Sequence, residues 1–520
     1  MKALRLGLLL ALGFALHAAA QQLDEQPLVR GFRVSGNSVL PESELQAALA
    51  PFVGRRLSAE DLIAARDAVT RLYVDHGYAT SGAFLPDQRV RDGIVELRVE
   101  EGRLEDVHVT GASHLRASYL RARVLDGASG PLQVQQLRDL LERLQEGPLV
   151  DRVNAVLEPG ARPGSSRLEL AVHEPVQGTF TATADNAQPP AIGSESGELR
   201  TTRYNLLGIG DGLELATGLS RGLRRYEGRF WFPLGAGETE AELRYLESRA
   251  DVVEDPFDPL DITSRWRVLS AGLRHPFHPS EDSVLWLGIQ GDLIRTRTYL
   301  DDRRFGFAPG SEDGETSISA LRATQEWLRR DQNDVLAARS TFSVGLDVLG
   351  ASDAGPGLPD GTFFAWLGQA QWAHRVEGLL GGSQLVARAD VQLTPNSLLA
   401  PERFPLGGAH SVRGYRELEL VRDDAAVGSL ELRVPLLQAP DGADRLQLAP
   451  FFDAGYGWDR EDTPGPRTLA SVGLGLRLRL AQNGLASLYW GIPLRHVSDT
   501  GDDWLQDHGL HFAVTFATAR

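Results

Sequence analysis

Leu446-Gln447-Leu448-Ala449-Pro450-Phe451-Phe452-Asp453-Ala454-Gly455-Tyr456 alternates in character from end to end. Successive side chains of an extended strand point to opposite faces. Leu446, Leu448, Pro450, Phe452, Ala454 and Tyr456 therefore share one face, and Gln447, Phe451, Asp453 and Gly455 share the other. The same division recurs elsewhere: Leu474, Leu476, Leu478 and Leu480 against Gly473, Gly475, Arg477 and Arg479, and Phe342, Val344, Leu346 and Val348 against Thr341, Ser343, Gly345 and Asp347. A strand of a soluble sandwich also alternates. Here, however, arginines and aspartates oppose the apolar set in strand after strand, and that set carries rings: Phe364, Trp366 and Trp372; Tyr226, Phe230 and Phe232; Phe512 and Phe516. Lipid outside and water inside produce this pattern. At roughly 21 residues per strand and connection, the chain from Val176 onward holds about sixteen antiparallel strands, from Gly178–Asp185 to Gly509–Phe516. The sheet has to close, because an open edge would leave unpaired backbone amides in hydrocarbon.

The start of the chain places such a barrel. Met1, Lys2 and Arg5 are followed by an apolar stretch from Leu6 to Leu16 and a small-residue cleavage site at Ala18-Ala19-Ala20. That is the pattern of a secretory signal peptide over residues 1–20, too short to span a bilayer. The formal charge of −17 argues against nucleic acid as a partner. Zero cysteines exclude disulfides, thiolate metal sites and a thiol nucleophile.

Between signal and barrel lies a repeat. Phe32-Arg33-Val34-Ser35-Gly36-Asn37-Ser38-Val39-Leu40, with Ser43 and Leu45, aligns with Val107-His108-Val109-Thr110-Gly111-Ala112-Ser113-His114-Leu115, with Ser118 and Leu120, at a constant offset of 75. Each copy begins with a strand that ends at a glycine turn, followed by a helix with Leu45 and Leu49, or Leu120 and Val124, on one face. In the first copy Ser58-Ala59-Glu60-Asp61 has the form of a helix N-terminus, and Leu62, Ala65, Val69, Leu72 and Tyr73 mark the buried face of a second helix. Two strands close each unit, Ser81 to Leu85 and Ile94 to Val99, then Val153 to Leu157 and Arg167 to Val172. The expected order is β-α-α-β-β, a three-stranded sheet with two helices on one face.

These stretches, with Leu157-Glu158-Pro159-Gly160 and Pro163-Gly164-Ser165-Ser166, resemble the tandem polypeptide-transport-associated (POTRA) domains of two-partner secretion transporters. That is the haemolysin secretion/activation family of ShlB, FhaC and HecB. The resemblance implies POTRA domains at residues 28–103 and 104–175, and an all-β transmembrane barrel at 176–520 in the outer membrane, with the POTRA domains in the periplasm. It also assigns roles to two motifs. Val412-Arg413-Gly414-Tyr415 lies in a long connection, about 395–426, of the kind that is seldom a plain linker. In the resembled family that loop folds back into the barrel and its arginine pairs with the aspartate of F-x-D-x-G, here Phe451, Asp453 and Gly455. Carried over, Arg413 tethers the loop to Asp453, Gly414 permits a tight turn and Tyr415 packs near the tip.

Other apparent motifs carry no chemistry. Gly218-Leu219-Ser220-Arg221-Gly222 fits a nucleophile elbow but bridges two alternating strands, and Gly208-Ile209-Gly210-Asp211-Gly212 precedes a strand rather than a helix. His275 and His278 around Pro276 read as turn or rim residues, not metal ligands. No metal, cofactor or catalytic residue is expected. The function implied is ATP-independent export of a large haemolysin- or adhesin-type exoprotein, bound in the periplasm through its N-terminal secretion domain; the alternative is an outer-membrane assembly factor of the same superfamily. Outer-membrane lipids and the assembly machinery complete the expected partners. Two departures from the family stand out. Only Gln21 to about Pro27 precede the first strand, so no N-terminal plug helix is expected, and Phe516 is followed by four more residues rather than ending the chain.

Overall fold

The computed structural model describes residues 26–518, apart from 148, 163, 281, 356, 378–381, 441, 462, 481–482 and 498–501. The expected signal peptide lies outside the described residues. The chain divides at Pro175/Val176 into two compact units.

The first unit contains two α+β layers of the same order. Strand β1 (Gly31–Ser35), helices α1 (Glu42–Leu49) and α2 (Ala59–Asp75), and strands β2 (Gly82–Phe84) and β3 (Ile94–Glu100) form the first. Strand β4 (Arg103–Thr110), helices α3 (Ala117–Gly127) and α4 (Val134–Glu146), and strands β5 (Arg152–Pro159) and β6 (Ser165–His173) form the second. In each sheet the last strand is central, parallel to the first and antiparallel to the other. The apolar positions explain the packing: Val95, Leu97 and Val99 of β3 are fully buried against Leu45 and Leu49 of α1 and Ala65, Val69 and Tyr73 of α2. Helix α2 starts where Ser58 caps it, its hydroxyl accepting the Asp61 N–H at 3.2 Å while the Asp61 carboxylate accepts the Ser58 N–H at 2.9 Å.

The repeated glycine has a concrete cause. Gly36 and Gly111 both have positive φ (83° and 79°), and a side chain on either would strike the backbone carbonyl of Val99 or Val172 on the central strand. Beyond each turn a glutamate that the repeat did not single out collects the free amides. Glu101 accepts the Ser38 N–H at 2.5 Å and the Val39 N–H at 3.2 Å; Glu174 accepts those of Ser113 and Leu115, both at 2.9 Å. Burial alone would raise the Glu101 carboxyl, but the Ser38 hydroxyl and N–H, the Tyr73 hydroxyl and the Val39 N–H outweigh it and hold the group below its ordinary 4.5. A depressed folded-state value means that this stabilisation is complete above the unfolded carboxyl value and is lost as pH falls through the folded one. Hydrogen exchange at Ser38 and Val39, corrected for its intrinsic pH dependence, is therefore expected to accelerate in that acid window. Glu101→Gln should expose the same amides already at neutral pH; equal protection in both proteins would refute the clamp.

The second unit is a closed barrel of sixteen antiparallel strands, each hydrogen-bonded to its neighbours in chain order. They are β7 (Gly178–Asp185), β8 (Ser196–Tyr204), β9 (Gly212–Ser220), β10 (Leu223–Pro233), β11 (Glu240–Asp251), β12 (Ile262–Ser280), β13 (Ser283–Leu300) and β14 (Glu315–Arg330). The circuit continues with β15 (Asp334–Gly345), β16 (Phe364–Val376), β17 (Ser383–Leu393), β18 (Asp424–Gln438), β19 (Asp444–Trp458), β20 (Thr468–Leu480), β21 (Gly484–Pro493) and β22 (Leu510–Ala517). Strand β22 pairs with β7 to close it. The outer face carries exposed Leu474, Phe452, Tyr226 and Phe516. The inner face carries ion pairs such as Arg200–Glu214, Arg229–Glu242 and Arg322–Asp292.

Some boundaries differ from the sequence reading. Strand β15 ends at Gly345, so Leu346 and Val348 lie in the next connection, which turns at Leu349 and Gly350 with φ of 56° and 81°. The long connection ends at Asp423, because Asp424, Ala425 and Ala426 already belong to β18. Gly218 and Ser220 end β9 in a hairpin, whereas His275 and His278 lie within β12 rather than in a turn. No helix among the described residues is long and apolar enough to cross a membrane.

Candidate functional site

The connection between β17 and β18 enters the barrel rather than arching away from it. Its stem is a short hairpin, Phe404–Leu406 paired with Leu420–Arg422. Leu406, Val412, Tyr415 and Leu420 form an apolar foot that packs on Ala425, Val427 and Leu469 of the wall. Gly455 makes this possible: a Cβ there would lie 3.0 Å from a Val412 methyl and 3.1 Å from one of Leu406. The foot removes apolar surface from water and brings the loop tip to the wall.

Arg413, 7% exposed, sits at that tip against Asp453, which is fully buried on the inner face of β19. Its Nε and Nη2 donate to the two carboxylate oxygens at 2.8 and 2.9 Å, and its backbone N–H adds a third bond at 3.0 Å. The planar guanidinium matches a carboxylate edge to edge and stays charged at every physiological pH. It has more partners than the motifs indicate. Nη1 pairs with Glu431 of β18, and Nη2 also donates to Ser429 at 3.1 Å. The Phe451 and Tyr489 ring centroids lie 3.7 and 4.8 Å from the guanidinium carbon, and the two rings meet edge to face at 69°, so the cation sits in the corner they make. Glu431 in turn receives Arg433 Nε at 2.7 Å, so two arginines face two carboxylates and the buried charge balances.

The rest of the motif fixes the tip. Gly414, at φ 92°, donates its N–H to His511 Nε2 at 3.1 Å, which makes that ring nitrogen an acceptor. Its Cα passes so close to Gly491 of β21 that a Cβ on Gly491 would lie 2.6 Å from the Gly414 nitrogen. The Tyr415 hydroxyl lies 2.9 Å from the Ala470 carbonyl and 2.8 Å from that of Arg495. A further attachment lies before the tip, where Glu402 meets Arg322 of β14 at 2.7 Å. The structure thus brings Val412, Arg413, Gly414 and Tyr415 together with Phe451, Asp453 and Gly455. Glu431, Ser429, Tyr489, Gly491 and His511 were not read from the sequence. Of these only Glu431 left a trace, as a carboxylate on the inner face of an alternating strand.

The loop leaves an open chamber of about 1020 Å³ on one side, lined by Arg322, Glu402, His410 and Arg388 among others. Among the described residues no group of His, Asp and Glu could hold a metal ion. The arrangement tethers a loop inside the barrel by a multidentate ion pair.

Comparison with known proteins agrees with this architecture. Residues 28–102 match the POTRA domain of ShlB type, and residues 164–478 match the haemolysin secretion/activation protein family ShlB/FhaC/HecB. The outer membrane transporter CdiB of Escherichia coli is 28% identical over 91% of this chain and 79% of its own length. CdiB of Dickeya dadantii is 22% identical over 75% of the chain and 69% of its own length. Among solved structures, CdiB from Escherichia coli superposes with a TM-score of 0.68 at 24% identity, covering 94% of this chain and 90% of that one. CdiB from Acinetobacter baumannii gives 0.65 at 17% identity, over 98% and 97%.

Proposed function

We propose, from the premise that the chain belongs to the haemolysin secretion/activation family ShlB/FhaC/HecB, that it exports one large exoprotein by letting it thread a barrel whose loop is held by Arg413. The chain is an outer-membrane transporter of that family, with its barrel in the outer membrane and its POTRA domain in the periplasm. Both ends of the barrel sheet, at Gly178 and Ala517, then face the periplasm, and the β17–β18 connection is extracellular in origin. In this reading the second α+β layer, residues 104–175, acts as a second POTRA domain, and residues 1–20 are removed as the signal peptide. The exoprotein's extended N-terminal secretion domain adds a strand to an open sheet edge, where backbone hydrogen bonds supply affinity and side-chain pockets select. Folding outside the cell then draws the polypeptide through without ATP.

The observation that carries the reading is the re-entrant loop itself, whose cation is tied to the wall by Asp453 and Glu431. A plain porin would not need the α+β repeat between Leu28 and Pro175. The assembly-factor alternative rests on likeness of fold, such as a TM-score of 0.57 to BamA from Haemophilus ducreyi at 14% identity.

Strand β5 is an edge of the second sheet; its Val153 N–H turns away from β6 towards Gln145, whereas the Gly160 N–H just beyond it bonds Ser165, so by alternation the exposed Ala155 also presents its N–H to the open side. Ala155→Pro removes a donor from that open side without breaking the ladder to β6, and edge strands tolerate proline in such a position. Co-expressed with its exoprotein, this variant is expected to assemble normally and to lose most export, measured in the culture medium. Undiminished export would exclude strand addition at this edge, and a chain that exports nothing in its native form would remove the transport reading.

A further inference from the structure

We infer that Arg416 and Glu417, just past the tethered tip, form a second attachment of the re-entrant loop that clasps the closing seam of the barrel at its extracellular end. The seam is short: the ladder of β7 and β22 runs from Thr181–Asp185 against Ala513–Ala517, with one further backbone bond at each end, whereas β7 pairs with β8 from Gly178 to Asp185. Beyond Asp185 one last backbone bond, from the Asn186 N–H to the Phe512 carbonyl at 3.3 Å, ends the pairing, and side chains take over. Buried Asn186 donates through Nδ2 to the Leu510 carbonyl at 2.9 Å and accepts the Phe512 N–H at 2.8 Å. Gln506, 1% exposed in the β21–β22 connection, donates to the Asn186 carbonyl and, at 2.9 Å, to that of Gln188. Its amide oxygen accepts the Glu417 N–H at 2.9 Å. The staple across the seam is therefore held from inside by the loop.

Arg416 grips both sides of the same seam. On one side its guanidinium pairs with Asp507, with Nη2 at 2.8 Å from Oδ2, and donates to the Asp502 carbonyl at 3.1 Å. Asp507 also accepts the Trp504 N–H at 2.8 Å, so this grip fixes the turn that presents Gln506. On the other side Nη1 donates to Glu254 at 2.7 Å. Glu254 belongs to the β11–β12 connection, whose Val253 N–H bonds the Ala191 carbonyl of the β7–β8 connection at 2.8 Å. Arg416 thus joins the chain leaving β7 to the chain entering β22. When the tip undocks, Arg416 and Glu417 leave with it, and Asp507 and Glu254 lose a shared cation in a setting where Coulomb terms are strong. Loop docking and seam closure become one event. Its use in export rests on the transport reading; the clasp itself does not.

The absence of native cysteine makes the test direct. Thr183 and Thr515 face each other across the seam with hydroxyl oxygens 3.2 Å apart, so T183C/T515C can lock it. Thr324 and Thr341, opposite each other on β14 and β15, serve as a control lock. The full-length protein is inserted into planar bilayers without any exoprotein, after heat-modifiable gel migration has shown a folded barrel. Arg416→Ala, Gln506→Ala and the milder Asp507→Asn are each expected to raise ion conductance severalfold. The oxidised seam lock should return it to the native level, and the control lock should not. Native conductance in all three variants, or a leak that persists with the seam locked, would overturn the clasp. Because no cargo is present, these outcomes are separate from failure of the export reading.

Discussion

Arg413→Ala is expected to reduce export to background while the barrel still assembles in the outer membrane. The substitution removes the one cation between Asp453 and Glu431, two carboxylates that are 0% and 5% exposed. Truncating one partner of a buried ion pair costs roughly 3–5 kcal/mol, because the remaining charge is stranded without water. At about 1.4 kcal/mol per tenfold, that shifts the docked-to-undocked ratio of the loop by a factor of roughly a hundred to a few thousand. It also removes the cation from the corner made by the Phe451 and Tyr489 rings. The partners order the milder variants. Asp453→Ala removes both ends of the bidentate contact and the acceptor of the Arg413 N–H, but leaves the guanidinium with Glu431 and Ser429. It should abolish most export and retain slightly more than Arg413→Ala. Glu431→Gln keeps the Asp453 contact and should be the mildest. Exoprotein in the medium, protease access to the loop and heat-modifiable migration together read the result; normal export by both Arg413→Ala and Asp453→Ala would sink the tether.

What the sequence disclosed and what it withheld divide along a physical line. Side-chain parity within one strand is local, so the inward direction of Asp453 and the outward direction of Phe452 follow from alternation alone. Repetition is equally local, and Gly36 and Gly111 stand out because both turns need the same backbone conformation. Which residue of the next strand lies opposite is a different matter. Glu431 meets Phe451 across β18 and β19 in a register that also has to absorb irregularities at Pro435 and Leu437. Tyr489 reaches Arg413, and His511 the neighbouring Gly414, only after the sheet has curved on from β19 through β20 to β21 and β22. Nothing in the spacing of these residues states that curvature. The same limit explains Glu101 and Glu174, whose task is visible only once the central strand lies beside the glycine turn. Small residues mislead in the opposite sense: Ala425 and Ala426 read as loop because they lack the alternation of bulk that marks a strand, yet they begin β18.

Gly491→Ala should be nearly as damaging as loss of the arginine, although it removes no charge and no hydrogen-bonding group. A Cβ at this position would stand 2.6 Å from the nitrogen of Gly414, 2.7 Å from its Cα and 2.9 Å from the carbonyl carbon of Arg413. All three are backbone atoms of the tip, so no side-chain rotation relieves the clash. The tip cannot back away without lengthening the bonds from Arg413 to Asp453, which leave no slack at 2.8 to 3.0 Å. Overpacking of this kind costs about 1–3 kcal/mol. On a loop that has to dock within a few tenths of an ångström, that is a factor of roughly five to a hundred and fifty in occupancy. Strand β21 itself has no reason to unfold, since alanine is compatible with an extended backbone. Gly428→Ala supplies the contrast: it lies on another wall strand, β18, and an added Cβ there meets nothing within 4 Å. Export is therefore expected to fall steeply for Gly491→Ala and to remain native for Gly428→Ala, with equal amounts of folded barrel. Equal export by the two proteins would mean that the loop tip does not need the seat on β21, and that the ion pair alone positions it.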